Sequence, residues 1–347
     1  MDGLEDGPAE PTTPPAGGAP PPPPSPSSSS SAVSVAAARA AAAQDKNEVN
    51  VVTAMANLYK SMTTLSFVLG GQEVQVAVPF HMNPVPPTVP PPRAGRANDA
   101  GERVLQGDAR DRANVIATLV QPKVLVSETV SLVVAGRGAP AQIQLVTQAL
   151  LDAGKFSPAP TDAAGVRSMM FRLGIGVDCA GYVMQAAVTA HLLPPYSNTR
   201  SILDDNLSNL PSRGFHRVND YGTARPGDIF VLGPQGGQTS NTIGHRAIVF
   251  SQHVAVPAEV PSTIAAQLGA SAGPIHVFQV DSSWGAGGVP QNGGVRRQTW
   301  LYGESTGKWA WQPPMEPSPQ PYKVTNTPYE HAFGTGGFGL YRGRASQ

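Results

Sequence analysis

Between Cys179 and about Leu193 the chain is apolar nearly all round, and Pro194-Pro195 stops it. A helix of that pattern has no polar face to turn to water, so it is covered on several sides and the domain is built around it. Its first residue is the only cysteine among 347 residues. A thiol at a helix start meets unpaired backbone N–H groups and a partial positive charge, both of which favour thiolate. An isolated cysteine in an apolar run is as a rule an inert core residue, so the choice rests on what else the chain supplies.

Around this helix the pattern is helical first and extended afterwards. Pro140 suits a first helical turn, Ile143, Val146 and Leu150 share a face, and Gly154 can cap the end, which predicts a helix over 140–153. A shorter helix is predicted over 163–173. Strands are predicted at 228–232, 245–251, 275–280, 298–302, 309–312 and 338–341, joined by glycine-rich and proline-rich turns. Helices followed by strands imply an α+β domain with segregated layers.

Upstream, residues 1–46 form a low-complexity leader. Gly7 to Ser31 is almost wholly proline, glycine, alanine and serine, and an alanine-rich run continues to Gln44, too poor in large apolar groups to offset ordering entropy. Residues 47–138 read as a β-rich extension. A helix is expected at 49–59, a hairpin at 65–80 turning on Gly70-Gly71, and strands at 114–120 and 124–134, with an exposed proline-rich linker over 84–107. The 139–347 segment is the third and main region.

Formal net charge is zero and 14% of residues are charged, so the chain shows no electrostatic footprint for nucleic acid or an anionic membrane. One cysteine allows no internal disulfide and no cysteine-rich zinc site, and the histidines show no metal-ligand spacing, so no cofactor or metal is expected. The acidic start lacks an apolar signal region, and no run of about 18 apolar residues occurs. That predicts a protein cytoplasmic as synthesised, without a membrane span. If it acts elsewhere, the leader is a candidate contact for a secretion apparatus.

A cysteine nucleophile needs a base, and the base needs a polar group to fix its tautomer. The best base is His245, opening Gly244-His245-Arg246-Ala247-Ile248-Val249-Phe250, after Arg225-Pro226-Gly227-Asp228-Ile229-Phe230 turns into a strand. The best third group is Asp281, just after Ile275 to Val280, with His276 and Ser282 as substitutes. Asp178-Cys179-Ala180-Gly181-Tyr182-Val183, then the Arg225–Phe230 motif, then Gly244-His245 opening a strand resembles the NlpC-type branch of papain-like cysteine peptidases. The match covers roughly residues 163–285.

The resemblance implies helices packed on an antiparallel sheet, Cys179 as nucleophile, His245 as base and Asp281 as its orienting partner. It also implies amide hydrolysis in bacterial peptidoglycan peptides, particularly γ-D-glutamyl to diamino-acid bonds. Two departures stand out. The 35 residues between His245 and Asp281 exceed the family's usual spacing, so 252–274 reads as an inserted loop. The tyrosine that contributes to the family's oxyanion site has no counterpart in Met169 to Gly176, which leaves the Cys179 backbone N–H as the candidate oxyanion donor. Two other functions fit the same motifs: a deamidase or acyltransferase effector acting on protein or lipid, and a catalytically silent binding module.

Weaker signals stay structural. Gly334 to Gly339 fits a dinucleotide-binding glycine pattern but reads as a turn, since too little chain follows for a helix. His191, near the end of the central helix, is expected against terminal carbonyls, and Trp284, Trp300, Trp309 and Trp311 are expected as core rather than groove.

Overall fold

The computed structural model describes the backbone of residues 29–81, 116, 126–194, 196, 198, 201–202, 207, 210–233, 244–285, 293–313, 321–329 and 337–343, with side chains from residue 46 onward. It divides into two units, Met1–Asp45 and Lys46–Gln347. Helix α1 spans Ser29–Thr63, so it takes in the helix expected at 49–59 together with the alanine run expected to be unstructured. The linker expected over 84–107 lies outside the described residues, as does the strand expected at 114–120 save for Ile116, which is helical and buried.

In Lys46–Gln347 the fold is α+β. After the hairpin β1 (Leu65–Leu69) and β2 (Gln72–Val76), which turns on Gly70 and Gly71 at positive φ, come helices α2 (Ser127–Val134), α3 (Pro140–Ala153), α4 (Ala163–Arg172) and α5 (Cys179–Thr189). The sheet follows: β3 (His216–Val218), β4 (Ile229–Leu232), β5 (His245–Val254), β6 (Ile275–Trp284), β7 (Gly294–Gly303), β8 (Lys308–Trp311), β9 (Lys323–Thr325) and β10 (Gly339–Arg342). These eight strands pair antiparallel in the order β3-β10-β4-β5-β6-β7-β8-β9. Helix α6 (Ser262–Gln267) lies in the expected inserted loop and builds a small core of its own with Val260, Ile264, Leu268 and Val277.

Of the valine-rich 124–134 segment, expected as a strand, Ser127–Val134 is helix α2, and 124–125 lie outside the described residues. Its buried residues Val130, Val133 and Val134 pack into the main core, and that burial overrides β propensity. The central helix ends sooner than Pro194-Pro195 requires. Thr189 is its last residue and His191 takes a left-handed φ of 58°, its N–H donating to Val188 O.

Side chains alternate between the two sheet faces. Ile229, Val231, Ile248 and Tyr341 meet Tyr182, Val183, Ala186 and Ala187 of α5, in one core with Met55, Met62, Phe67, Val133, Ile143 and Met169. The region 47–138 thus shares its core with the helices that follow. Phe230, Leu232, Ala247, Val249, Phe278, Val280 and all four tryptophans fill the opposite face, where the tryptophans are buried core residues. Burying a side chain of this size contributes about 1.5–3 kcal/mol.

Helix α5 lies so close to the turn after α2 that a Cβ on Gly181 would overlap the carbonyl oxygen of Gly136. Gly181→Ala is therefore expected to destabilise the fold by about 1–3 kcal/mol, read as a lower urea midpoint at unchanged slope. A midpoint equal to wild type would show that the helix does not approach that turn.

Candidate functional site

The start of α5 is tied down on both sides. Asp178 caps it in extended conformation: its Oδ1 accepts the Gly181 N–H at 2.6 Å and pairs with the buried Arg137 guanidinium. Just before it, the Val177 N–H donates to Pro79 O at 3.2 Å, and Val177 O accepts from His81 N–H at 3.1 Å and from Ser283 Oγ at 2.6 Å. These bonds set Cys179 against the head of β5. The half-buried Cys179 thiol donates to Gly244 O at 4.0 Å, and the Arg246 backbone N–H favours its ionised form. The nucleophile expected from the sequence thus lies against the backbone on either side of His245, the base expected from the sequence.

The electrostatics run against the thiolate anticipated at a helix start. Burial, and next the Asp178 carboxylate, push the thiol from its ordinary 9.0 up to about 11, with the Arg246 and Arg137 guanidiniums opposing. The helix-end charge is outweighed because the residue that caps the helix is itself an anion beside the sulfur. Burial also pushes the Asp178 carboxyl up, against the pull of Arg137.

His245 opens β5 as expected, but its ring leaves on the face away from α5. It sits directly opposite Leu232 and in line with Ala247 and Val249, and its ring centroid lies 3.7 Å from that of Trp284. Ser282 Oγ stands 3.0 Å from His245 Nε2 and donates its one proton to Arg246 O at 2.5 Å. The hydroxyl can then only accept from the ring, so Nε2 carries the hydrogen and Nδ1 the lone pair. Burial, and then Arg246, lower the His245 pKa well below its ordinary value, and the imidazole is neutral.

Asp281 does not orient His245. Strand β6 runs on to Trp284, so Asp281 and Ser282 point to opposite faces. Asp281 sits between Ile248 and Arg297 on the α5 side, where Arg297 binds it through Nε at 2.7 Å and Nη2 at 2.8 Å and the Tyr182 hydroxyl donates at 3.4 Å. Arg297 in turn stacks 3.2 Å from the Phe250 ring centroid. Of the two substitutes, Ser282 touches His245, while His276 is bonded to Gln252 at 2.8 Å and Glu304 at 2.9 Å.

Arg246 was not singled out from the sequence. It sits opposite Val231 on the α5 face, and alternation along β5 from His245 was the signal that would have placed it beside the cysteine. Among the described residues no group of three His, Cys, Asp or Glu side chains could hold a metal ion. None of the described helices is long and apolar enough to cross a membrane. Neither a protein family, a curated protein nor a solved structure matches the chain.

Two substitutions test this arrangement. Asp178→Asn keeps a capping side chain but removes the anion, so the thiol should titrate below the wild-type value of about 11, followed by ultraviolet thiolate absorbance. Because the folded thiol holds its proton more tightly than the unfolded one, wild-type stability from this group is complete below pH 9 and lost toward about 11; the variant, with a smaller difference between the two states, loses less. Asp281→Ala strands Arg297 and should cost about 3 kcal/mol in chemical unfolding.

Proposed function

We propose that the chain is a cysteine amide hydrolase with a papain-like NlpC-type arrangement, in which Cys179 is the nucleophile, His245 the base and Ser282 the group that orients it. The observation that carries this reading is the thiol at the head of α5 lying against Gly244 and Arg246, which bracket a histidine whose Nε2 is held by Ser282. Holding Nε2 puts the lone pair on Nδ1, the atom that would take the thiol proton. Acylation requires the imidazole to leave both Trp284 and Ser282 and turn toward α5, in the tautomer that Ser282 sets at rest. Sulfur then attacks the amide carbonyl, the Cys179 backbone N–H stabilises the oxyanion, and the amine leaves with the proton held by His245. Water cleaves the thioester, giving a carboxylic acid and restoring the thiol. Cell-wall peptides are the first substrate class to test, on the strength of the motif resemblance.

Cleavage of γ-D-glutamyl peptides should vanish in Cys179→Ala, fall about 10²–10⁴-fold in His245→Ala and fall less in Ser282→Ala. The wild-type rate should climb with pH toward about 11 as the thiol ionises. Activity that persists in Cys179→Ala, or is indifferent to Ser282, overturns the assignment. The silent binding module is the second reading, favoured by the raised thiol pKa and by the contact of His245 with Trp284. It predicts peptide binding without turnover at any pH.

A further inference from the structure

Arg246 is more than nine-tenths buried, and three carbonyl oxygens share two of its nitrogens. Nε donates to Leu207 O at 3.1 Å, and Nη1 donates to His245 O at 2.9 Å and Leu232 O at 3.5 Å. The guanidinium stands beside the strand head that receives the thiol: Nη1 is 3.0 Å from where a Cβ of Gly244 would be, and the Gly244 carbonyl takes the Cys179 thiol. Burying a guanidinium costs free energy unless an anion or a full set of acceptors compensates. The acceptors around Arg246 are neutral carbonyls, with no carboxylate among them. Burial pulls the Arg246 pKa down, and Cys179, followed by Tyr341 and Asp178, pulls it back up.

We propose that Arg246 is the positioning residue for the nucleophile: its guanidinium is the charge partner that a developing Cys179 thiolate uses. The proposal rests on the reading of Cys179 as nucleophile. In a cysteine–histidine pair the imidazolium supplies that charge, but at rest His245 is neutral and turned to the other face. A guanidinium is protonated throughout the working pH range, so its support for the thiolate does not switch off as pH rises. Three other charged or titratable groups act on this pair: Asp178 before α5, Arg137 after α2 and Tyr341 on β10. Asp178 and Arg137 are bound to each other, which leaves Arg246 as the cation not committed to a carboxylate. The residue carries information the motif does not, because it reports how a buried thiol with an anionic neighbour is made to ionise.

The test is alkylation of Cys179, in which the thiolate displaces iodide and a sulfur–carbon bond forms. At a fixed pH below the thiol midpoint, Arg246→Gln should react at least about tenfold more slowly with iodoacetamide, and Arg246→Lys should recover most of the wild-type rate. Equal rates in wild type and Arg246→Gln, or equal losses in the Gln and Lys variants, overturn the proposal. If Arg246→Gln does not fold, the folded wild type decides alone. A fixed cation at the sulfur raises the ratio of iodoacetate to iodoacetamide rates above that of free cysteine, and a ratio at or below that of free cysteine refutes it. Neither readout uses peptide cleavage. A chain that cleaves peptides without this dependence loses the Arg246 role alone, and one that shows the dependence but cleaves nothing loses the hydrolase reading alone.

Discussion

The Asp178 carboxylate holds the start of α5, neutralises Arg137 and stands beside the Cys179 sulfur, and these three contacts come from one side chain. Without it the helix would lose its cap, a buried guanidinium would lose its counter-ion, and the turn after α2 would lose part of its hold on the helix it touches at Gly136. The same contacts set the chemistry. A cap that is an anion opposes the charge that the sulfur must acquire, so the geometry that places the thiol also keeps it protonated at rest.

The sheet imposes the second constraint. Its strands are buried on both faces near the site, so neighbouring residues in β5 and β6 serve different cores. His245 and Ser282 belong with the tryptophans; Arg246 and Asp281 belong with α5. A polar residue is therefore recruited to one partner or the other by parity along the strand. Asp281 holds Arg297 and Tyr182 and thereby braces the helix on the sheet, while Ser282 fixes the tautomer of His245.

Much of this was legible in the sequence where one signal dominated. Pro140, Gly154 and the apolar spacing between them mark α3, and the apolar run from Cys179 marks the central helix, because capping and periodicity agree there. The head of β5 was legible from Gly244-His245. The end of β6 was not: Asp281 reads as a polar stop, yet its charge is compensated by Arg297, a residue sixteen positions on that no local pattern announces. Similarly, the valines of α2 favour a strand until burial among α3 and the hairpin is known. What escaped the sequence was in each case a choice made by a distant partner.

The claim on which the rest turns is that His245 is a neutral imidazole protonated at Nε2, held by Ser282 and packed on Trp284. Long-range proton–nitrogen NMR of the His245 ring at neutral pH tests it directly. The account predicts the neutral Nε2–H tautomer with ring contacts to Trp284. An imidazolium at that pH, or ring contacts to the Cys179 methylene in place of Trp284, would contradict it.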